Sequence, residues 1–168
     1  KKLVISGNNL SISPEKNLYL NYLFYLNYAN LKDQFNEKEN IVNHYSNTAE
    51  EIVYHEENCD NIFKSILSEM TEEFNRFHKQ NFNKKSTSLI LGHWLKRFIK
   101  ICYDRYHLLV NAFNQYNLEK VEILDVENFN FSTKESGGIY YASINENWNY
   151  ALISKLINFF SLGEHETI

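Results

Sequence analysis

The amino-acid sequence predicts an α/β fold dominated by helix, with a small parallel sheet, and three observations carry that expectation. Short β-branched runs alternate with longer helical stripes, in the order strand, helix, strand, two long helices, strand, helix. A single proline, Pro14, and five glycines in 168 residues are too few for an all-β fold built on many tight turns. A composition of 43% hydrophobic and 15% aromatic residues supplies one ordinary core and excludes a disordered tail. The reading is a single α/β domain over residues 1–168, with three layers of helix and sheet.

The elements follow in order. Leu3-Val4-Ile5 is apolar after a basic start and runs into Gly7-Asn8-Asn9, residues that accept positive φ, so a short buried strand ends in a turn. Ser13-Pro14-Glu15 has the cap, first-turn proline and acidic residue of a helix start. From Glu15 to Leu31 the positions Leu18, Tyr22, Leu23, Tyr25 and Leu26 fit a helix, while Leu18, Leu20, Tyr22 and Phe24 also alternate as in a strand; helix is preferred. Lys32 to Glu39 reads as a charged loop, Ile41 to Tyr45 as a second strand, and Ser46 to Thr48 as a turn.

A long helix is expected from Cys59 to Lys79, because Ile62, Phe63, Ile66, Leu67, Met70, Phe74 and Phe77 form one stripe at 3- and 4-residue spacing. After a polar, basic break from Asn81 to Ser88, a second helix extends to Tyr116, with Leu91, Trp94, Leu95, Phe98 and Leu109 on its apolar face. Val121 to Val126 reads as a strand. A loop containing Gly137-Gly138, a last helix from Asn147 to Phe160 and a polar tail complete the chain.

Several function classes are disfavoured at once. A net charge of -4 argues against nucleic-acid binding, and the basic residues from Lys79 to Lys100 read as a solvated face. Cys59 and Cys102 are too few and too far apart for a disulfide framework or zinc knuckle, and the six histidines show no ligand spacing, so no metal is expected. Phosphate-loop, dinucleotide, zinc-protease and nucleophile-elbow motifs are absent. No apolar run is long enough for a membrane span, which leaves a cytoplasmic protein with room for peripheral membrane association.

The densest candidate chemistry is Tyr103-Asp104-Arg105-Tyr106-His107. Adjacent on a helix, Asp104 and Arg105 point about 100° apart and are not expected to pair along it. A buried Arg105 requires an anionic partner, either another carboxylate or a ligand phosphate or carboxylate. His93, in Gly92-His93-Trp94 just inside the expected helix start, would present a neutral imidazole suited to acid/base work. Trp94 reads as core or groove wall before stacking platform. Asn8 and Asn9 lie beyond a strand end, where α/β folds bind ligands. At Trp148-Asn149 the indole reads as an anchor, and the amide as a cap or a ligand contact.

The run Leu89-Ile90-Leu91-Gly92-His93-Trp94-Leu95-Lys96-Arg97-Phe98-Ile99, the later Tyr103-Asp104-Arg105-Tyr106, and the Trp148-Asn149 pair followed by Leu152-Ile153-Ser154 resemble a known family. The likeness, over residues 40 to 160, is to the amino-terminal part of bacterial transferases encoded in surface-polysaccharide (lipopolysaccharide or capsule) loci. Two positions depart from the family pattern: His93 stands where proline is usual, and Gly7-Asn8-Asn9 stands where Gly-Glu-Trp is common. The resemblance implies a Rossmann-like first lobe of a two-lobed glycosyltransferase, on the acceptor side, without activity when its carboxyl-terminal lobe is missing.

In that setting Asn8, Asn9, Trp94, Asp104, Arg105 and Asn149 would contact a carbohydrate acceptor, and His93 would act as acid or base. The nucleotide-activated sugar would occupy the other lobe, and no further cofactor is implied. The competing expectation is a non-catalytic module of the same fold that binds a protein partner.

Overall fold

In the computed structural model, which describes residues 1–5, 16–20, 33, 36–119, 121–135 and 137–167, strand β1 (Lys2–Val4) pairs in parallel with β2 (Asn17–Tyr19). Leu3 lies opposite Leu18, and all three residues of β2 are buried. The helix expected from Glu15 therefore fails at residues 17–19. A parallel strand covered on both faces reads as a continuous apolar run, and such a run fits either period. The remainder of that expected helix at 21–31, its expected start at Ser13-Pro14-Glu15 and the Gly7-Asn8-Asn9 turn lie outside the described residues.

Ile41 and Val42 are buried, but Asn43 and His44 are exposed, so the second expected strand shrinks to one parallel bridge between Tyr19 and Ile41. It follows a single helical turn, α1 (Glu37–Asn40), where a loop was expected.

Helix α2 (Ala49–His78) starts ten residues before Cys59. Thr48 Oγ1 accepts from the Glu51 N–H at 3.2 Å, and Glu51 Oε2 accepts from the N–H groups of Thr48 at 3.1 Å and Asn47 at 2.7 Å. This reciprocal capping box fixes the start without an apolar stripe. The helix ends at Lys79, left-handed at φ 52°, and Asn75 closes the turn by bonding both the N–H and the carbonyl of Phe82 at 2.8 Å. Helix α3 (Lys84–Gln115) then begins four residues earlier than expected, because Asn83 Oδ1 caps the Ser86 N–H at 2.9 Å.

Strand β3 (Val121–Ile123) is followed by α4 (Gly138–Ile144) in place of the expected glycine loop, and then by α5 (Glu146–Phe160), capped by Asn145 through a 2.9 Å bond to the Trp148 N–H. The polar tail is in fact β4 (His165–Thr167), parallel to β3 with Ile123 opposite Thr167. Gly163 turns the chain into it at φ 62°, and a Cβ there would run into the Phe113 ring.

The chain is thus a helix-rich α/β protein, whose described strands form two separate two-stranded parallel sheets. It divides into two compact units. The sheet unit (1–45, 104–132 and 141–168) has a core of Leu3, Leu18, Tyr19, Leu108, Leu109, Ile123, Ile153 and Ile157 with their neighbours. The hairpin unit (46–103 and 133–140) packs α2 antiparallel to the first part of α3 around Cys59, Leu67, Leu95 and Ile99. At Gly92 a Cβ would come within 2.8 Å of Ser88 Oγ one turn back on α3, while Phe63 Cζ at 3.6 Å would be in ordinary contact.

Candidate functional site

Parallel strands end on the same side, and α/β folds bind ligands in the crevice past those carboxyl ends. Beyond β3 and β4 lies a crevice of about 430 Å³, lined by Asp125, Glu127, Lys155, Asn158, Phe159 and Thr167 among others. Val121 and Ile123 face inward and Glu122 outward, which anchors β3 so that Leu124 and Asp125 emerge at the rim. The Leu124 N–H donates to the buried Ser154 Oγ at 3.0 Å, fixing the exit from the strand to α5. Asp125 Oδ1 accepts from the Glu127 N–H at 3.2 Å, a local turn that orients its carboxyl group.

The last turns of α5 supply Lys155, Asn158 and Phe159, the last 77% exposed. Two carboxylates face one ammonium in this crevice. Among the described residues there is no cluster of histidine, cysteine and carboxylates that could hold a metal ion.

The residues singled out from the sequence lie elsewhere. Arg105 is 8% exposed, and its Nε donates to Asn149 Oδ1 at 3.1 Å while its Nη1 is hydrogen-bonded to Asp104 Oδ2. The expectation that Asp104 and Arg105 do not pair is thereby corrected. The Cβ directions diverge, but the long arginine stem lets the guanidinium return to its neighbour's carboxylate. His44 Nε2 stands 3.7 Å from the other oxygen, Asp104 Oδ1.

Asn149, 1% exposed, spends its amide internally: Oδ1 on Arg105, and Nδ2 on the carbonyls of Ser143 at 2.8 Å and Asn145 at 2.9 Å. Asp104, Arg105 and Asn149 therefore form one polar link within the sheet unit, tying α3 to the start of α5. Trp148 beside them is buried with its ring edge-on to Phe131 at 5.7 Å, the anchor expected of it.

His93 and Trp94 belong to the hairpin unit. Because α3 begins at Lys84, His93 lies past the first turn and outside the reach of the helix N-terminal field, which corrects its expected place just inside the helix start. It is exposed, and its Nε2 accepts from Arg97 Nε at 3.1 Å. Trp94 is half-buried and stacks on Phe98 at 5.1 Å, a wall of the hairpin core. Asn8 and Asn9 lie outside the described residues.

Also in this unit, burial pushes the Tyr103 hydroxyl pKa up, partly offset by the Asn58 amide, and His55 Nδ1 lies 2.7 Å from that hydroxyl. Burial likewise raises the Cys59 thiol, with Glu56 adding to the effect, so it is an inert core cysteine.

The crevice residues follow the end of β3, whereas the strand-end candidates Asn8 and Asn9 follow the first strand. The signal in the sequence is the largely apolar run Val121 to Leu124 followed directly by Asp125-Val126-Glu127.

A family model described as LIC12162 family transferase matches residues 1–167, across both compact units. No curated protein and no solved structure matches the chain. Among the described residues no helix is long and apolar enough to cross a membrane.

Proposed function

Because the chain belongs to the LIC12162 family of transferases, we propose that it forms the amino-terminal, acceptor-side lobe of a glycosyltransferase acting in the cytoplasm on bacterial surface carbohydrate. The observation that carries this reading is the crevice past the carboxyl ends of the parallel strands β3 and β4, the side on which α/β folds bind ligands. The likeness from Leu89 to Ile99 and at Trp148-Asn149 supports glycosyl transfer as the chemistry.

In this reading Asp104, Arg105 and Asn149 position α5, while His93 remains the candidate acid or base. The acceptor approaches this lobe, and the nucleotide-activated sugar occupies a second lobe encoded downstream. A partner-binding module is the second reading, favoured by the exposed Ile52, Val53 and Tyr54 on α2.

The test is to express the natural full-length protein and follow release of nucleoside diphosphate from a panel of nucleotide sugars with carbohydrate acceptors. Turnover by the full-length protein and none by residues 1–168 alone is the expected result. Transfer of an acyl, methyl or sulfuryl group instead, or a natural reading frame that stops near Ile168, would remove the glycosyl assignment.

A further inference from the structure

We propose that the crevice beyond β3 and β4 binds an uncharged or amino-bearing sugar ring and turns away phosphate. This assignment rests on the glycosyl-transfer reading and narrows it.

The sign of the site is the first argument. Asp125 and Glu127 outnumber Lys155, and the crevice sits against the carboxyl-terminal turns of α5, where the helix dipole is negative and no basic residue occupies the last turn. One exposed lysine attracts an anion only weakly in water, too little to reverse two carboxylates and a helix end.

The hydrogen-bonding inventory is the second. Carboxylates accept only, so Asp125 and Glu127 select a ligand rich in hydroxyl or ammonium donors, while Asn158 both donates and accepts. A diphosphate, multiply anionic and mostly acceptor at neutral pH, meets the wrong partners. The Asp125 carboxyl group is already oriented by its bond to the Glu127 N–H.

Shape is the third. Phe159 is 77% exposed, and its ring gives the crevice an apolar wall suited to the C–H face of a pyranose. The crevice volume of about 430 Å³ falls within the range of ~300–1,000 Å³ found for small-ligand sites. An apolar wall beside a few hydroxyl acceptors is the combination that an amphipathic sugar ring satisfies and a diphosphate does not.

Saturation-transfer NMR on the natural full-length protein tests this, with methyl glycosides of glucose, galactose, mannose, glucosamine and N-acetylglucosamine as probes and inorganic pyrophosphate as competitor. At least one glycoside is expected to bind. Phe159→Ala and Asp125→Asn should each weaken it about tenfold, a loss of ~1.4 kcal/mol, and pyrophosphate should fail to displace it. Both side chains are exposed at the rim, and unchanged thermal unfolding of the variants confirms that they fold.

Displacement of the glycoside by pyrophosphate, binding unaffected by both substitutions, or no glycoside binding at all overturns the assignment. The two readings fail separately. If the glycosyl-transfer reading fails, sugar binding persists in a protein that transfers no sugar. If this assignment fails, transfer continues undiminished in Phe159→Ala and Asp125→Asn.

Discussion

The two compact units solve the burial problem differently. The sheet unit surrounds its short strands with fully buried aliphatic residues, among them Leu18, Leu109, Ile123, Ile153 and Ile157. The hairpin unit packs a smaller cluster, Cys59, Leu67, Leu95 and Ile99, edged by half-buried Phe63, Trp94 and Tyr103. It adds polar ties between α2 and α3: Asp60 to Lys96 at 2.7 Å, Glu56 to Lys100, and Tyr103 to His55 and Asn58. Two helices share one narrow seam, whereas sheet and helix together enclose a volume. The sheet unit is therefore the more sensitive to lost volume and the hairpin the more sensitive to conditions.

That contrast is sharpest in the core. Leu109→Ala in the sheet unit is expected to lose ~3–5 kcal/mol, and Leu95→Ala in the hairpin ~2–3 kcal/mol, because the less enclosed seam can collapse around the gap. Chemical denaturation of both variants measures the difference, and equal losses would erase the distinction. Next in size is Asn149→Ala, which strips the buried Arg105 Nε of its acceptor; the unfolding free energy should fall by ~1–3 kcal/mol.

The hairpin should answer more to pH and salt. Thr48→Ala removes the cap of α2 and should cost ~1 kcal/mol, with faster amide exchange in its first turn. Backbone hydrogen bonds from Asn47 and Thr48 hold the Glu51 carboxyl below its ordinary pKa of 4.5. Since the folded pKa is the lower one, this contribution is complete above pH 4.5 and fades as the pH falls through the folded value. Wild-type stability should accordingly drop faster on acidification than that of Glu51→Gln. The smallest effect expected is from Lys96→Ala, less than ~1 kcal/mol and smaller still in 1 M salt, because the Asp60 pair is largely exposed.

The sequence made the helices legible and the strands only in part. Phe63, Leu67, Met70 and Phe74 repeat at helical spacing, and no other structure buries them together. The first ten residues of α2 carry no such stripe and are fixed by Thr48 and Glu51, a signal of two side chains that a periodicity argument passes over. Strand β2 was hidden because leucine and tyrosine suit either element, and β4 because His165-Glu166-Thr167 is polar and depends on its partner Val121 to Ile123.

At the candidate site, the residue types of the Asp104-Arg105 pair were visible, but which of two partners the guanidinium takes is settled by an amide 44 residues away. The crevice itself needs β3, α5 and β4 together, so no local pattern announces it.

The Asn75 clamp on Phe82 joins residues only seven apart, and the α2–α3 seam grows from it by adding neighbouring contacts. The partner of Val121 is His165, with α4 and α5 to be formed between them. Loop-closure entropy therefore delays the parallel pair and leaves the hairpin nearly free to form. On the ribosome, α2 and α3 can zip together while the carboxyl-terminal residues are still in the exit tunnel. A nascent chain halted before His165 would carry a finished hairpin and no crevice.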